Sequence, residues 1–453
     1  AQINVPRDYW TQVIDIELPP IVRFERQGGG KEAIENAAKL LSKAKFPVIL
    51  SGAGVVLGGA IDECKKLAEK LDAPVCNGYQ HNDSFPGSHP LAVGPLGYNG
   101  SKAAMELISK ADVVLALGTR LNPFSTLPGY GIDYWPKKAA IIQVDMNPDR
   151  IGLTKKVSVG ICGDAKQVAQ QILDKLSSDA GNTGREERKN LIHKTKSAWL
   201  QTLSGLDHEE DDPGTVWNKE ARERDKDRMS PRQAWRAIQD ALPQDAIISS
   251  DIGNNCAIGN AYPTFEKPRK YLAPGLFGPC GYGFPAILGA KIGCPDTPVV
   301  GFAGDGAFGI SMNEMSSCAR EEWPAITMVI FRNYQWGAEK RNSILWFDDN
   351  FVGTELDPEL SYAKVANACG LKGVTCKTME ETTKAIKQSC EDQKKGITTF
   401  IEIILNQELG EPFRRDAMKK PVKVAGIKKE DMKKQPSLIS VSYTHLTLPT
   451  IGC

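Results

Sequence analysis

The apolar run Pro298-Val299-Val300-Gly301-Phe302-Ala303 ends in Gly304-Asp305-Gly306, and a second apolar run, over 326–331, leads to Asn333, 28 positions after the aspartate. That spacing constrains the fold more than any other feature of the chain. A buried strand, a glycine turn, one amphipathic helix and a return strand fill it with almost nothing to spare. Met312, Met315 and Ala319 mark one face of the connecting helix, and Arg320, Glu321 and Glu322 close it before Pro324. Strand, helix and parallel strand in one sheet form a right-handed crossover, which brings Asp305 and Asn333 out at the carboxyl edge of neighbouring strands. A carboxylate beside an amide oxygen suits Mg²⁺, which fills its other positions from water, a main-chain carbonyl and phosphate oxygens. The glycines let a phosphate approach the backbone, and the helix N-terminus adds its dipole and free N–H groups. Taken singly, Gly-Asp-Gly is a tight turn and Asn333 a cap. The frame that holds both makes the ligand reading the stronger one.

Similar alternation recurs elsewhere. From Lys31 the chain runs through apolar stretches at 47–51, 73–76, 113–117 and 140–144 with helical patterns at 61–71 and 165–176, as a parallel-sheet α/β domain does. Its loops Gly52-Ala53-Gly54 and Gly118-Thr119-Arg120 fit a nucleotide pocket or simple glycine turns, and the incomplete G-x-G-x-x-G favours turns. Residues 177–229 are rich in charge and poor in large apolar side chains, as in a linker with helical turns, and His193 and His208 within it read as solvated. Ser230 as N-cap and Pro231 at the first helical position open a second domain, with strands at 246–250, 298–303, 326–331 and 399–404. The glycine-dense stretch 275–286, feeding a helix to Ile292, fits a backbone pressed on a flat ligand or close helix packing. The expected fold is α/β with two doubly wound parallel-sheet domains. Residues 1–27 would end a preceding domain, 28–178 form a middle domain, 179–229 a charged linker, 230–410 the second domain and 411–435 a C-terminal extension. The Ser/Thr/Leu text of 436–453 reads as a disordered or non-native tail.

Composition bounds the partners. With 453 residues, 41% of them apolar and 25% charged, the chain can pack two or three cores. A formal charge of +1 argues against nucleic acid or an anionic membrane as partner, and no run reaches the ~18 apolar residues of a membrane span. Eleven cysteines include no C-x-x-C pair, and those such as Cys162, Cys280, Cys318 and Cys369 lie in apolar or glycine-rich surroundings. They read as reduced thiols of a cytoplasmic protein.

Gly-Asp-Gly followed by a spacer and an asparagine pair resembles the thiamin diphosphate signature, with Arg332 where the first asparagine of the pair stands. Over residues 1–430 the layout resembles the middle and diphosphate-binding domains of thiamin diphosphate enzymes of the acetolactate synthase and pyruvate decarboxylase group. Within that group, Phe24-Glu25-Arg26-Gln27, Gly78-Tyr79-Gln80-His81-Asn82-Asp83, Asn122-Pro123-Phe124-Ser125-Thr126-Leu127-Pro128-Gly129-Tyr130-Gly131 and the string from Phe331 to Lys340 are similar to the sulfoacetaldehyde acetyltransferases. The resemblance implies thiamin diphosphate and Mg²⁺ as cofactors, the ion held by the side chains of Asp305 and Asn333 and the carbonyl of Gln335. It implies Gly304, Gly306, Ala307, Asn254 and Asn255 at the diphosphate, Gly278 at the aminopyrimidine through its carbonyl, and Cys280 beneath the bent cofactor, where the family has a bulkier residue. The implied reaction converts sulfoacetaldehyde and phosphate to acetyl phosphate and sulfite, a step of sulfonate catabolism such as taurine degradation. Both substrates are anions and need cationic groups, for which Arg341, Lys340 and Arg120 are the candidates. An acetolactate synthase-like carboligase or decarboxylase acting on a 2-oxo acid, and a non-enzymatic nucleotide-binding protein, are the alternatives. The resemblance also implies a homo-oligomer with its site at a subunit interface. The family's catalytic glutamate belongs to an N-terminal pyrimidine-binding domain expected to be missing here, so no catalytic side chain is assigned and the chain alone is expected to show no turnover.

Overall fold

The strands fall into two six-stranded sheets, each parallel throughout. They belong to a computed structural model that describes residues 4–22, 25–129, 132–205, 223, 225–275, 277–346 and 350–408, without the side chains of Arg341, Asn342 and residues 344–346. His208, Phe24, the pair 130–131, and the expected C-terminal extension and tail lie outside the described residues.

The first sheet holds β1 (Pro47–Ser51), β2 (Val75–Asn77), β3 (Ala92–Pro95), β4 (Val113–Leu117), β5 (Ala140–Asp145) and β6 (Val159–Cys162), in the order β3-β2-β1-β4-β5-β6. The second holds β7 (Ile247–Ser250), β8 (Tyr271–Leu272), β9 (Val299–Gly304), β10 (Thr327–Arg332), β11 (Lys372–Cys376) and β12 (Thr399–Ile404), in the order β11-β12-β10-β9-β7-β8. This is the doubly wound architecture expected. β1, β4 and β10 are buried along their whole length because helices cover both faces, which is why they read as unbroken apolar runs. The strands that the apolar runs did not mark, β3, β6, β8 and β11, are the four sheet edges. Ala92-Val93-Gly94-Pro95, Val159-Gly160-Ile161-Cys162 and Lys372-Gly373-Val374-Thr375-Cys376 carry glycine, proline or polar residues, and β8 has two residues. Strand order reverses between β1 and β4 and between β7 and β9, and such switch points open crevices at the carboxyl ends of the strands.

Two expectations need correction. The helix after β9 starts at Asp305 itself (Asp305–Ser311), passes through a 3₁₀ turn (Met312–Glu314) and resumes as Met315–Cys318. The turn shifts the phase, so Met315 and Cys318 are buried while Ala319, expected on the inner face, is exposed. The charged stretch contains a 21-residue helix, Arg185–Gly205, rather than isolated turns. Its Arg188 is 1% exposed and donates to the carbonyls of Lys45, Leu71, Asp72, Gly181 and Thr183 at 2.6–2.9 Å. A charge in the composition therefore marks a buried clamp. His193 is exposed, as expected.

The string Gly78 to Asp83 joins the two sheets. Asn82 Nδ2 donates to the carbonyls of Asn260 (2.8 Å) and Pro263 (2.9 Å), the Gln80 N–H to Asn260 Oδ1 (3.2 Å), and Asp83 Oδ2 accepts the Lys270 N–H (3.0 Å) beside β8. Among the described residues no helix is long and apolar enough to cross a membrane.

Replacing Arg188 by Leu strands carbonyls from three segments, at Lys45, at Leu71 and Asp72, and at Gly181 and Thr183. The cost expected is about 1–3 kcal/mol for each carbonyl left buried without a donor. Urea unfolding of the protein measures it, and a loss below about 1 kcal/mol would show that water replaces the guanidinium.

Candidate active site

The loops after β7, β9 and β10 meet at the second sheet's switch point. Asp305 stands at the end of β9 and is 1% exposed. The register that pairs Phe331 with Gly304 lets Arg332 and Tyr334 both reach its carboxylate: Arg332 Nη1 lies 3.0 Å from Oδ2, and the Tyr334 N–H donates to the same oxygen at 2.7 Å. Oδ1 accepts the Gly306 N–H at 2.9 Å. Asn333, buried, lies in the chain between the two residues that make those contacts, just past the end of β10 on the strand next to β9. Burial pushes the Asp305 carboxyl up to about 6, against the opposing charge of Arg332 and the hydrogen bonds. Tyr334 is left-handed at φ 61°, a costly conformation for a tyrosine and one held by the contacts of its N–H and its ring with Asp305 and Arg332. Gln335 makes an isolated antiparallel bridge with Glu355. The bonds of that bridge run from its neighbours, Trp336 N–H to the Thr354 carbonyl (2.8 Å) and Leu356 N–H to the Tyr334 carbonyl (2.9 Å), which turns the Gln335 carbonyl to the other side.

Asp251, one residue beyond β7, was not singled out from sequence. Its Oδ2 accepts the Gly283 N–H (2.7 Å), and its Oδ1 those of Ile252 (2.7 Å) and Gly281 (3.1 Å), fixing the glycine-dense turn against the crevice. The turn needs its glycines: Gly278 and Gly281 have φ of 59° and 86°. Cys280 lies on it, exposed, with its thiol pushed up by partial desolvation first and then by the Asp251 and Glu339 charges. The helix Asn254–Ile258 starts where β7 ends, with Asn254 and Asn255 buried. Among the described residues, both amide atoms of Asn254, Oδ1 of Asn255 and Oε1 of Gln335 are buried without a hydrogen-bond partner. Gly337 closes the ring of contacts, since a Cβ there would come within 3.2 Å of Asn254 Nδ2.

This donor set fits a diphosphate carried by a hard cation. Among the described residues no three His, Cys, Asp or Glu side chains converge, so a cation here needs amide, main-chain and ligand oxygens beside Asp305. The unpartnered buried amides are groups that a polar ligand would satisfy.

Comparison with known proteins agrees. The family described as "Thiamine pyrophosphate enzyme, central domain" matches residues 34–172, and "Thiamine pyrophosphate enzyme, C-terminal TPP binding domain" matches 251–403. A probable sulfoacetaldehyde acetyltransferase of Rhizobium meliloti is 78% identical over 96% of this chain and 74% of its own length, and a sulfoacetaldehyde acetyltransferase of Roseovarius nubinhibens is 75% identical over 96% and 72%. The chain belongs to the sulfoacetaldehyde acetyltransferase family. A probable acetolactate synthase large subunit of Methanocaldococcus jannaschii, 29% identical over 86% of this chain and 64% of its own, is a more distant relative. Thiamin diphosphate is the cofactor of this fold.

In this member of the sulfoacetaldehyde acetyltransferase family the three cationic candidates part company. Lys340, on the helix Gly337–Trp346, is paired with Glu355 and donates to Gln407 Oε1 at 3.2 Å. The side chain of Arg341 lies outside the described residues. Arg120 lines a cleft of about 650 Å³ at the first sheet's switch point, with His81, Gly54, Asn122 and Asp145. Gly54 and Gly118 are in close contact there, the Gly54 N–H donating to the Gly118 carbonyl at 2.8 Å, so the glycines serve both as turns and as the floor of a cleft. His81 was legible only as part of a string. Burial, then the Arg120 charge, lowers its pKa to about 4.

A histidine with a lowered folded pKa leaves the unfolded chain binding the extra proton between about pH 6.5 and 4. Stability is therefore expected to fall as pH drops through that window and to be indifferent to His81 above it. Melting temperatures against pH check this: His81→Gln should flatten the acid limb, and an unchanged limb would remove His81 from the account.

Proposed function

We propose that the protein is a thiamin diphosphate-dependent acyltransferase that converts sulfoacetaldehyde and phosphate to acetyl phosphate and sulfite. The reading is supported by the buried Asp305 carboxylate held at the end of β9, by the buried amide atoms of Asn254, Asn255 and Gln335 that find no partner among the described residues, and by 78% identity to a relative of that name. When bound, thiamin diphosphate would supply a nucleophilic carbon and an electron sink for chemistry at a carbonyl carbon. Asp305 and Asn333 would hold Mg²⁺ through side-chain oxygens and Gln335 through its carbonyl. Gly304, Gly306, Ala307, Asn254 and Asn255 would receive the diphosphate, Gly278 would accept from the aminopyrimidine, and Cys280 would lie beneath it. Arg120 and Arg341 are the candidates for the substrate anions, whereas Lys340 is already engaged by Glu355.

The same reading includes a homo-oligomer with the site at a subunit interface and a cytoplasmic location, in keeping with ten free thiols among the described residues. It places the protein in sulfonate catabolism, taurine degradation included. It divides the chain into a middle domain at 28–178 and a thiamin diphosphate domain at 230–410, in keeping with the family matches at 34–172 and 251–403.

Sulfite release from sulfoacetaldehyde, measured on the whole protein with phosphate, is expected to require both thiamin diphosphate and Mg²⁺. Pyruvate turnover without sulfite release would instead favour the acetolactate synthase reading. Asp305→Ala is expected to weaken Mg²⁺-dependent cofactor binding by at least about 10–100-fold, the loss typical of even an outer ligand change. Calorimetric affinity like that of the unaltered protein would refute the metal assignment.

A further inference from the structure

We infer that Arg332 is a positioning residue for the metal site: its guanidinium, together with the Tyr334 N–H, occupies Oδ2 of Asp305 and so leaves Oδ1, which accepts the Gly306 N–H, as the oxygen with a lone pair to present to the ion. The inference rests on the proposed function and concerns the position where the signature has asparagine. Arg332 is 1% exposed. Nη1 bonds Asp305 Oδ2 at 3.0 Å, while Nη2 donates to the carbonyls of Leu360 (3.0 Å) and Asp357. The guanidinium lies over the Tyr334 ring, 4.2 Å from its centroid, and faces the Tyr362 ring at 5.5 Å. Nε is 3.7 Å from Glu402 Oε1. Glu402 accepts the Ser361 hydroxyl (2.6 Å) and the Tyr362 N–H (3.2 Å), and Tyr362 Oη donates to the main-chain carbonyl of Asp305 at 2.8 Å. Both ends of Asp305 are thus fixed by one assembly built around Arg332.

Charge and geometry explain the arginine. Two buried acidic side chains, Asp305 and Glu402, face one guanidinium, which spans both. An asparagine at 332 is neutral and too short to span Asp305 and the carbonyls at 357 and 360. A lysine keeps the charge but lacks the planar fork that serves those partners at once.

The test is the Mg²⁺ affinity at saturating thiamin diphosphate, by calorimetry, on the whole protein and two variants. Arg332→Lys retains the charge without the fork. Arg332→Gln/Glu402→Gln removes one charge of each sign, so the net charge is unchanged and positioning alone is lost. Each is expected to bind Mg²⁺ about 10–100-fold more weakly. Melting without metal measures any structural cost separately, and a purely structural role would lower that melting temperature while leaving the affinity alone. Affinity within about twofold of the unaltered protein, in either variant that folds, overturns the inference. No Mg²⁺-dependent cofactor binding by the unaltered protein overturns this inference and the proposed function together.

Discussion

A carboxylate buried at the end of a parallel strand must be matched by donors, because an unpaired charge in that setting is too costly to persist. Asp305 meets the requirement from the neighbouring strand: two residues of the β10 end reach it while Asn333 sits between them. The register of β9 on β10, the left-handed backbone of Tyr334 and the packing of Tyr362 on the site all answer to that one group. The Gln335–Glu355 bridge follows, because the chain leaves β10 in the direction that Tyr334 sets. Those donors favour the charged form of the Asp305 carboxyl against the burial that raises its pKa.

How much of this was legible depended on where each residue lies. Central strands covered on both faces read as apolar runs, and the crossover spacing placed Asp305 and Asn333 on adjacent edges. Edge strands β3, β6, β8 and β11 are short and interrupted, and their pairing follows from tertiary packing rather than local pattern. Arg188 was invisible for a related reason. A charge surrounded by charges in the sequence is usually solvated, and only the fold shows five carbonyls converging on it. The cofactor candidates lay in glycine-rich or signature text, but Asp251, Tyr362 and Glu402 act through partners 30 to 57 positions away, a separation that no local motif encodes.

The strings that set the family apart divide in function. Phe331 to Lys340 carries the contacts that hold Asp305, whereas Gly78 to Asp83 ties the first sheet to the segment 260–271 and supplies His81 to the cleft beside Arg120. Such a string holds two domains in register, so its sequence is constrained by packing as well as by chemistry. Lys340 illustrates the difference between motif and role: a cation seven positions after Asn333 is engaged by Glu355 and Gln407.

The central claim is geometric, that one oxygen of Asp305, the amide oxygen of Asn333 and the Gln335 carbonyl converge on a single cation. Crystals of the protein grown with thiamin diphosphate and Mn²⁺ in place of Mg²⁺ would locate that cation by anomalous scattering. The account expects one peak bonded to Asp305 Oδ1, with Oδ2 still on Arg332, and with the Asn333 and Gln335 oxygens at roughly the 2.0–2.2 Å of a small octahedral dication. A peak elsewhere in the crevice, or an Asp305 that binds it through Oδ2 with Arg332 displaced, would contradict it.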